Sequence, residues 1–220
     1  MLDTEIARVF DAIEIKGLAI GFTRPKIATM TMTFQLDKTT VSLNEVEMMC
    51  ESFVRTNDTP RPNKKKRPYK RFNNSITLVF DKKAMKVFVN GKLHVTGCGS
   101  VAEAKAIVDL FLEAMMWDFD GVNVKNVEVH TFNTCIRTPN TPKIDLNEVN
   151  FKFGRVPGVV TGYDPLTYHG LKIMKPITDE NGVHNAKALL FNTGTMTIAG
   201  VKIPKDVETM FDLVSRVIKS

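Results

Sequence analysis

The stretch VFVNGKLHVTGCGS at residues 87–100 has a counterpart in LFNTGTMTIAGVKI at 190–203, so that Phe88 and Phe191, Gly91 and Gly194, and Gly97 and Gly200 each lie 103 residues apart. A repeat of this length marks a duplicated half-domain, not a short-period solenoid, and restricts the chain to folds built twice from one unit. The unit is read from the first half. From Ile27 to Leu36 apolar residues alternate with threonines, the pattern of a half-buried strand. Ser42 and Glu45 form a capping box ahead of a helix whose apolar face is Val46, Met49, Cys50 and Phe53. SITLVF (75–80) and MKVFVN (85–90) read as strands joined by the polar DKKA turn, and Asn90-Gly91 turns the chain into a third, KLHVTG (92–97). Ser100 and Glu103 then cap a long helix with Ala104, Ile107, Phe111, Ala114 and Met115 inward.

The second half repeats that order. NVEVHTF (126–132) reads as a strand, DLNEVNFKF (145–153) as a short helix, and GLKIM (170–174), KALLFN (187–192) and GTMTIAG (194–200) as strands. A closing amphipathic helix places Val207, Met210, Phe211, Val214 and Ile218 inward, and PITDENGVHNA (176–186) reads as an enlarged loop between strands. Ahead of both repeats, Ile6, Val9, Phe10 and Ile13 form the stripe of a short helix. Such a unit buries its apolar faces only when its helices cover one side of a shared sheet. The expected fold is α+β: a duplicated half-domain forming a saddle, one curved antiparallel sheet with helices on the convex face and Ile27–Leu36 and Asn126–Phe132 near the centre. The expected domains are an N-terminal helical extension (1–24), a first saddle repeat (25–122) and a second (123–220). The exposed concave underside suits an elongated, roughly two-fold object, and duplex DNA is one.

Composition narrows the function. The 30 Lys and Arg against 24 Asp and Glu leave a net charge of +6, which favours phosphate-bearing partners over acidic ones. No apolar run has the length of a membrane span, and MLDTEIARVF lacks the pattern of a signal peptide, so an intracellular protein without membrane contact is expected. Cys50, Cys98 and Cys135 have no CxxC or Cys/His spacing and read as packed, reduced thiols. His94, His130, His169 and His184 share no metal spacing, and no Walker loop, GxGxxG, HExxH or GxSxG is present. A protein that is not an enzyme, with no cofactor and no metal, is expected.

In KRF at 70–72, VFVNGKLHVTGCGS, YDPLTYHGLKIMKP at 163–176 and LLFNTGTMTIAG at 189–200, the chain resembles the TATA-box-binding protein family over roughly residues 25–220. RFNNSITLVFDKKAMKVF (71–88) is more similar to the divergent TATA-binding-like proteins of large DNA viruses than to the cellular ones. The resemblance implies a transcription initiation factor that docks on the minor groove of AT-rich double-stranded DNA and kinks it with aromatic wedges. The nucleus, or a cytoplasmic viral factory, is the implied location. By position in the family's motifs the wedges are Phe72 and Phe88 in the first half and Tyr168 and Phe191 in the second. Of the family's polar groove residues Thr96 and Asn126 match, while Ala199 replaces the second threonine and Pro25 or Lys26 the first asparagine. Groove-floor positions fall on Ile27 and Leu189, and also on Lys86, His94, Glu128 and Thr197.

Phosphate contacts are implied for Lys70, Arg71 and Lys92, with Lys64, Lys65 and Lys66 just before them; NKKKRPYKR also fits a nuclear-import signal or a solvated loop. The family binds general transcription factor B through the tip that falls here on Tyr163, Asp164 and Pro165, which implies such a partner together with the RNA polymerase machinery. The first half, richer in cations and in phenylalanine, is expected to supply more of any DNA affinity. The competing reading is a saddle-shaped protein-interaction module of a transcription apparatus that has lost specific TATA binding, which Lys86, Glu128 and Ala199 suggest.

Overall fold

The computed structural model describes residues 2–19, 21–54, 74–118, 120–138, 143–179 and 182–219. Its α-helices are α1 (Leu2–Leu18), α2 (Leu43–Met49), α3 (Val101–Ala114), α4 (Leu146–Phe153) and α5 (Pro204–Lys219). Its strands are β1 (Lys26–Leu36), β2 (Ser75–Phe80), β3 (Lys83–Phe88), β4 (Lys92–Cys98), β5 (Val124–Ile136), β6 (Val160–Asp164), β7 (Tyr168–Asp179), β8 (Gly182–Phe191) and β9 (Met196–Val201). The fold is α+β, with one nine-stranded antiparallel sheet in the order β2-β3-β4-β1-β5-β9-β8-β7-β6. Packing divides the chain into two compact units, Met30–His130 and Met1–Thr29 with Thr131–Ser220.

In the 30–130 unit, Met30, Met32, Phe34 and Leu36 of β1 are buried with Ile76, Leu78, Phe80, Met85, Val87, Leu93 and Val95 of β2, β3 and β4. Helix α3 packs along β4 and adds Ala104, Ile107, Val108, Phe111 and Leu112. Each fully buried aliphatic or aromatic side chain contributes about 1.5–3 kcal/mol. Both expected caps form: the Ser42 hydroxyl accepts the Glu45 N–H, and the Ser100 hydroxyl accepts that of Glu103. The Glu103 carboxylate accepts the Gly99 N–H and pairs with Lys83 at 2.8 Å, and those two contacts hold its pKa below the ordinary carboxylate range.

Two local expectations are corrected here. Helix α2 ends at Met49, leaving that side chain exposed, and a 3-10 turn over Glu51–Phe53 brings Phe53 onto Phe80 with ring centroids 4.5 Å apart. The β2–β3 turn is only Asp81-Lys82, both at positive φ, so Lys83 and Ala84 already belong to the ladder. At the next turn Gly91 has φ +74, and an added Cβ would lie 1.9 Å from the Lys38 carbonyl oxygen, so only glycine fits.

In the other unit Ile6, Val9, Phe10 and Ile13 of α1 are buried, as expected, and the helix packs on α5. Lys16 reaches Glu208 at 2.7 Å and Asp212 at 3.0 Å, and Phe22 meets Phe211 edge-on at 5.4 Å. Asp145 caps α4 by accepting the N–H groups of Asn147 and Glu148. The enlarged loop expected over 176–186 is instead mostly strand. The β7–β8 ladder continues from Gly170–Phe191 through Pro176–Asn185 and Ile177–His184 to Asp179–Gly182. His184 Nε2 sits 2.7 Å from Asp206 Oδ2 in the first turn of α5, which ties the extended hairpin to the helix. Strand β6 was not expected at all; VTGYD is short and has glycine at its centre.

Candidate nucleic-acid interface

Alternation along each strand buries one set of side chains under the helices and turns the other to the open face. In the 30–130 unit the pairing registers place that second set in rungs, of which Ser75, Thr77 and Thr33 are themselves buried. Thr77, Lys86, His94 and Thr33 form one rung across β2, β3, β4 and β1. Val79, Ala84, Thr96 and Thr31 form the next on one side. On the other side Phe88 pairs with Ser75, and Lys92 with Gln35.

Phe88 is half-buried and stands on this open face, since its neighbour Val87 points into the core. Lys92 and Lys86 are exposed. Thr96 donates its hydroxyl to the Ala84 carbonyl at 3.3 Å. Asn126 and Glu128 are exposed on β5, and Glu128 Oε1 lies 3.6 Å from His130 Nδ1. His130 Nε2 is hydrogen-bonded to the Thr33 hydroxyl, and its ring meets His94 edge-on at 6.1 Å. Burial, then the neighbouring His130, Lys86 and Lys92, lower the His94 pKa, so its imidazole is neutral at pH 7. Phe72, Lys64, Lys65, Lys66, Lys70 and Arg71 lie outside the described residues.

In the other unit Tyr168 and Phe191 stand together, rings edge to face at 6.1 Å, with Tyr168 47% exposed and Phe191 half-buried. Gly170, paired with Phe191 across the ladder, makes their room: an added Cβ would lie 2.7 Å from Tyr168 Cε1 and 3.0 Å from Phe191 Cε1. Next along the open face come Lys172, Leu189, Thr197 and Cys135, then Met174, Lys187 and Ala199. Leu189 and Ile27 are half-buried. Lys172, Lys187, Gly170 and Cys135 escaped the sequence reading, although GLKIMKP and NAKALLFN each alternate lysine with apolar residues.

Tyr163 is half-buried, and Asp164 and Pro165 are exposed at the β6–β7 turn. Asp164 builds that turn, accepting the Leu166 N–H and the Thr167 hydroxyl, both at 3.0 Å, and the Leu166 side chain is 96% exposed. Among the described residues no cluster of three His, Cys, Asp or Glu could hold a metal ion, and no helix is long and apolar enough to cross a membrane.

Burial pushes the Cys98 thiol up to about 11 and raises that of Cys50, whereas Cys135 is half-buried at the open face. A thiol at 11 is only about a thousandth thiolate at pH 8, and the thiolate is the nucleophile. Iodoacetamide at pH 8 is therefore expected to modify Cys135 first, with Cys98 and Cys50 silent until the protein unfolds; peptide mass mapping of the native protein checks this.

Neither a protein-family model nor a curated protein sequence matches the chain. Among solved structures it is similar to Methanococcus jannaschii TBP, with 18% identity and a TM-score of 0.62 over 89% of this chain and 98% of that one. The fold is thus TBP-like. A rolling circle replication initiator protein from Geobacillus stearothermophilus aligns at 10% identity over 89% of this chain and 80% of its own, with a TM-score of only 0.32.

Proposed function

We propose that the chain is a DNA-binding transcription initiation factor whose open sheet face docks on the minor groove and whose aromatic side chains wedge between base steps. The observation that carries this reading is the Tyr168–Phe191 pair, held side by side on the open face over a glycine. Large rings that stand partly open to solvent contribute little to a core, and they are of the kind that unstacks base pairs from the minor groove. Phe88 at the related position of the first repeat, with Phe72, makes the second pair, and residues 25–122 and 123–220 are the two halves. Lys92, Lys172 and Lys187 with Lys64, Lys65, Lys66, Lys70 and Arg71 supply cations for phosphates. Thr96, Asn126 and Ile27 complete the groove contacts. Leu189, Met174 and Ala199 give that part of the face an apolar floor, which supports an AT-rich preference there. The exposed Leu166 beside Tyr163, Asp164 and Pro165 gives a transcription factor B-like partner an apolar contact, and through it the RNA polymerase machinery.

Gel-shift titration of AT-rich and GC-rich duplexes at two salt concentrations tests the reading. Binding with a steep salt slope is expected, and replacing Lys64, Lys65 and Lys66 together lowers that slope by roughly 2–3. Bound duplex also shields Cys135 from alkylation. No duplex binding at low salt would favour the second reading, a protein-interaction module, which the exposed carboxylate of Glu128 on β5 supports.

A further inference from the structure

We infer that the open face of the 30–130 unit accepts the 2-amino group of guanine, so that the stretch of duplex under it contains G·C pairs. This rests on the DNA reading above and specifies its substrate. In the minor groove an A·T pair shows only acceptors, and a G·C pair adds one donor, the guanine amino group. A face that takes G·C must therefore place an acceptor beside its donors. The central rung of this unit does so. Lys86 and His94 are direct cross-strand neighbours on β3 and β4, an ammonium donor beside an imidazole, with Thr33 on the far side of His94.

The imidazole has a lone pair to offer. Its pKa is lowered by burial and by His130, Lys86 and Lys92, so it is uncharged at pH 7, and no hydrogen bond from a described residue occupies its ring nitrogens. The groups around it are engaged. The Thr33 hydroxyl is spent on His130 Nε2, Glu128 faces His130 Nδ1, and the His130 and His94 rings meet edge to face. Lys86 then donates to the cytosine O2 or guanine N3 of the same pair. The open face of the other unit differs in kind. The pair related to Lys86 and His94 by the 103-residue repeat is Leu189 and Thr197, so the acceptor there is a hydroxyl with an apolar neighbour in place of the ammonium, and Met174 and Ala199 beside it add only apolar surface.

Inosine separates the two possibilities because it lacks only the guanine 2-amino group. Fluorescence anisotropy of the full chain would be measured on three duplexes of equal length: uniform A·T, A·T ending in a three-pair G·C block, and A·T ending in an I·C block. The G·C-block duplex is expected to bind about fivefold tighter than the I·C-block duplex, the worth of one neutral hydrogen bond. His94→Leu brings that ratio to one, and His94→Asn, which keeps an acceptor, retains a preference for G·C. Equal or tighter binding of the I·C-block duplex overturns the inference while leaving DNA binding standing, as does a ratio unmoved by His94→Leu in a protein with an unaltered circular dichroism melt. Failure to bind any of the three overturns the DNA reading itself, and this inference with it.

Discussion

Trp117→Ala is expected to destabilise the 30–130 unit by about 3–5 kcal/mol, the usual cost of deleting a large buried aromatic ring. The side chain is 1% exposed, meets Phe111 edge-on at 5.6 Å, and carries the Lys38 ammonium 4.8 Å from its ring centroid. Its backbone closes the end of α3, donating to the Leu112 carbonyl and accepting from Val122 N–H, while Met116 just before it is at φ +56. Such a junction collapses poorly onto a void, so most of the cavity cost is retained. Against a typical total stability of about 5–15 kcal/mol the loss is large. Urea titration should show a lower midpoint with an unchanged slope. Phe151→Ala is the control: that ring is 63% exposed under Arg155 at 4.3 Å, and its removal should cost less than about 1 kcal/mol. Equal losses for the two would mean that Trp117 is not a core residue.

What the sequence made legible was whatever repeats or alternates. The 103-residue spacing of Phe88 with Phe191 fixed the duplication, and strict alternation in IATMTMTFQL fixed β1 and its buried face. Capping residues set the starts of α2 and α3 to within a residue. The illegible parts were decided by distant partners. The tail of α2 unwinds because Phe80, some 30 residues on, offers Phe53 a ring to stack against. The 176–186 stretch reads as a loop because Pro, Asp, Asn and Gly crowd it, yet an antiparallel partner and the Asp206 carboxylate on α5 keep it extended. At the site, the positions of Tyr168 and Phe191 followed from the repeat. The roles of Gly170, Lys172 and Lys187 did not, because cross-strand neighbours are set by register, and register is invisible until both strands are placed. Glu128 likewise reads as a lone acid in a strand, and only the folded chain puts His130 and Thr33 beside it.

Gly170→Ala is expected to lower affinity for duplex DNA about tenfold and to reduce the bend, while leaving the salt slope and the melting temperature nearly unchanged. Gly170 is not at positive φ, so alanine is acceptable to the backbone. The added Cβ meets ring atoms, Tyr168 Cε1 at 2.7 Å and Phe191 Cε1 and Cζ at 3.0 and 3.2 Å, so the rings and not the sheet must move. Wedges that have swung aside cannot enter the base step at the original angle, and unstacking, worth a few kcal/mol per step, is then only partly offset by new contacts. A tenfold loss corresponds to about 1.4 kcal/mol, a fraction of that sum. No charge changes, so the number of phosphates neutralised, and with it the salt slope, stays the same. Neutralising Lys64, Lys65 and Lys66 should do the reverse, lowering the slope without changing the bend. Electrophoretic phasing for the bend and titration at three salt concentrations would separate the two effects. If Gly170→Ala binds and bends DNA like the parent chain, the Tyr168–Phe191 pair is not a wedge, and contacts from lysines alone must account for any binding.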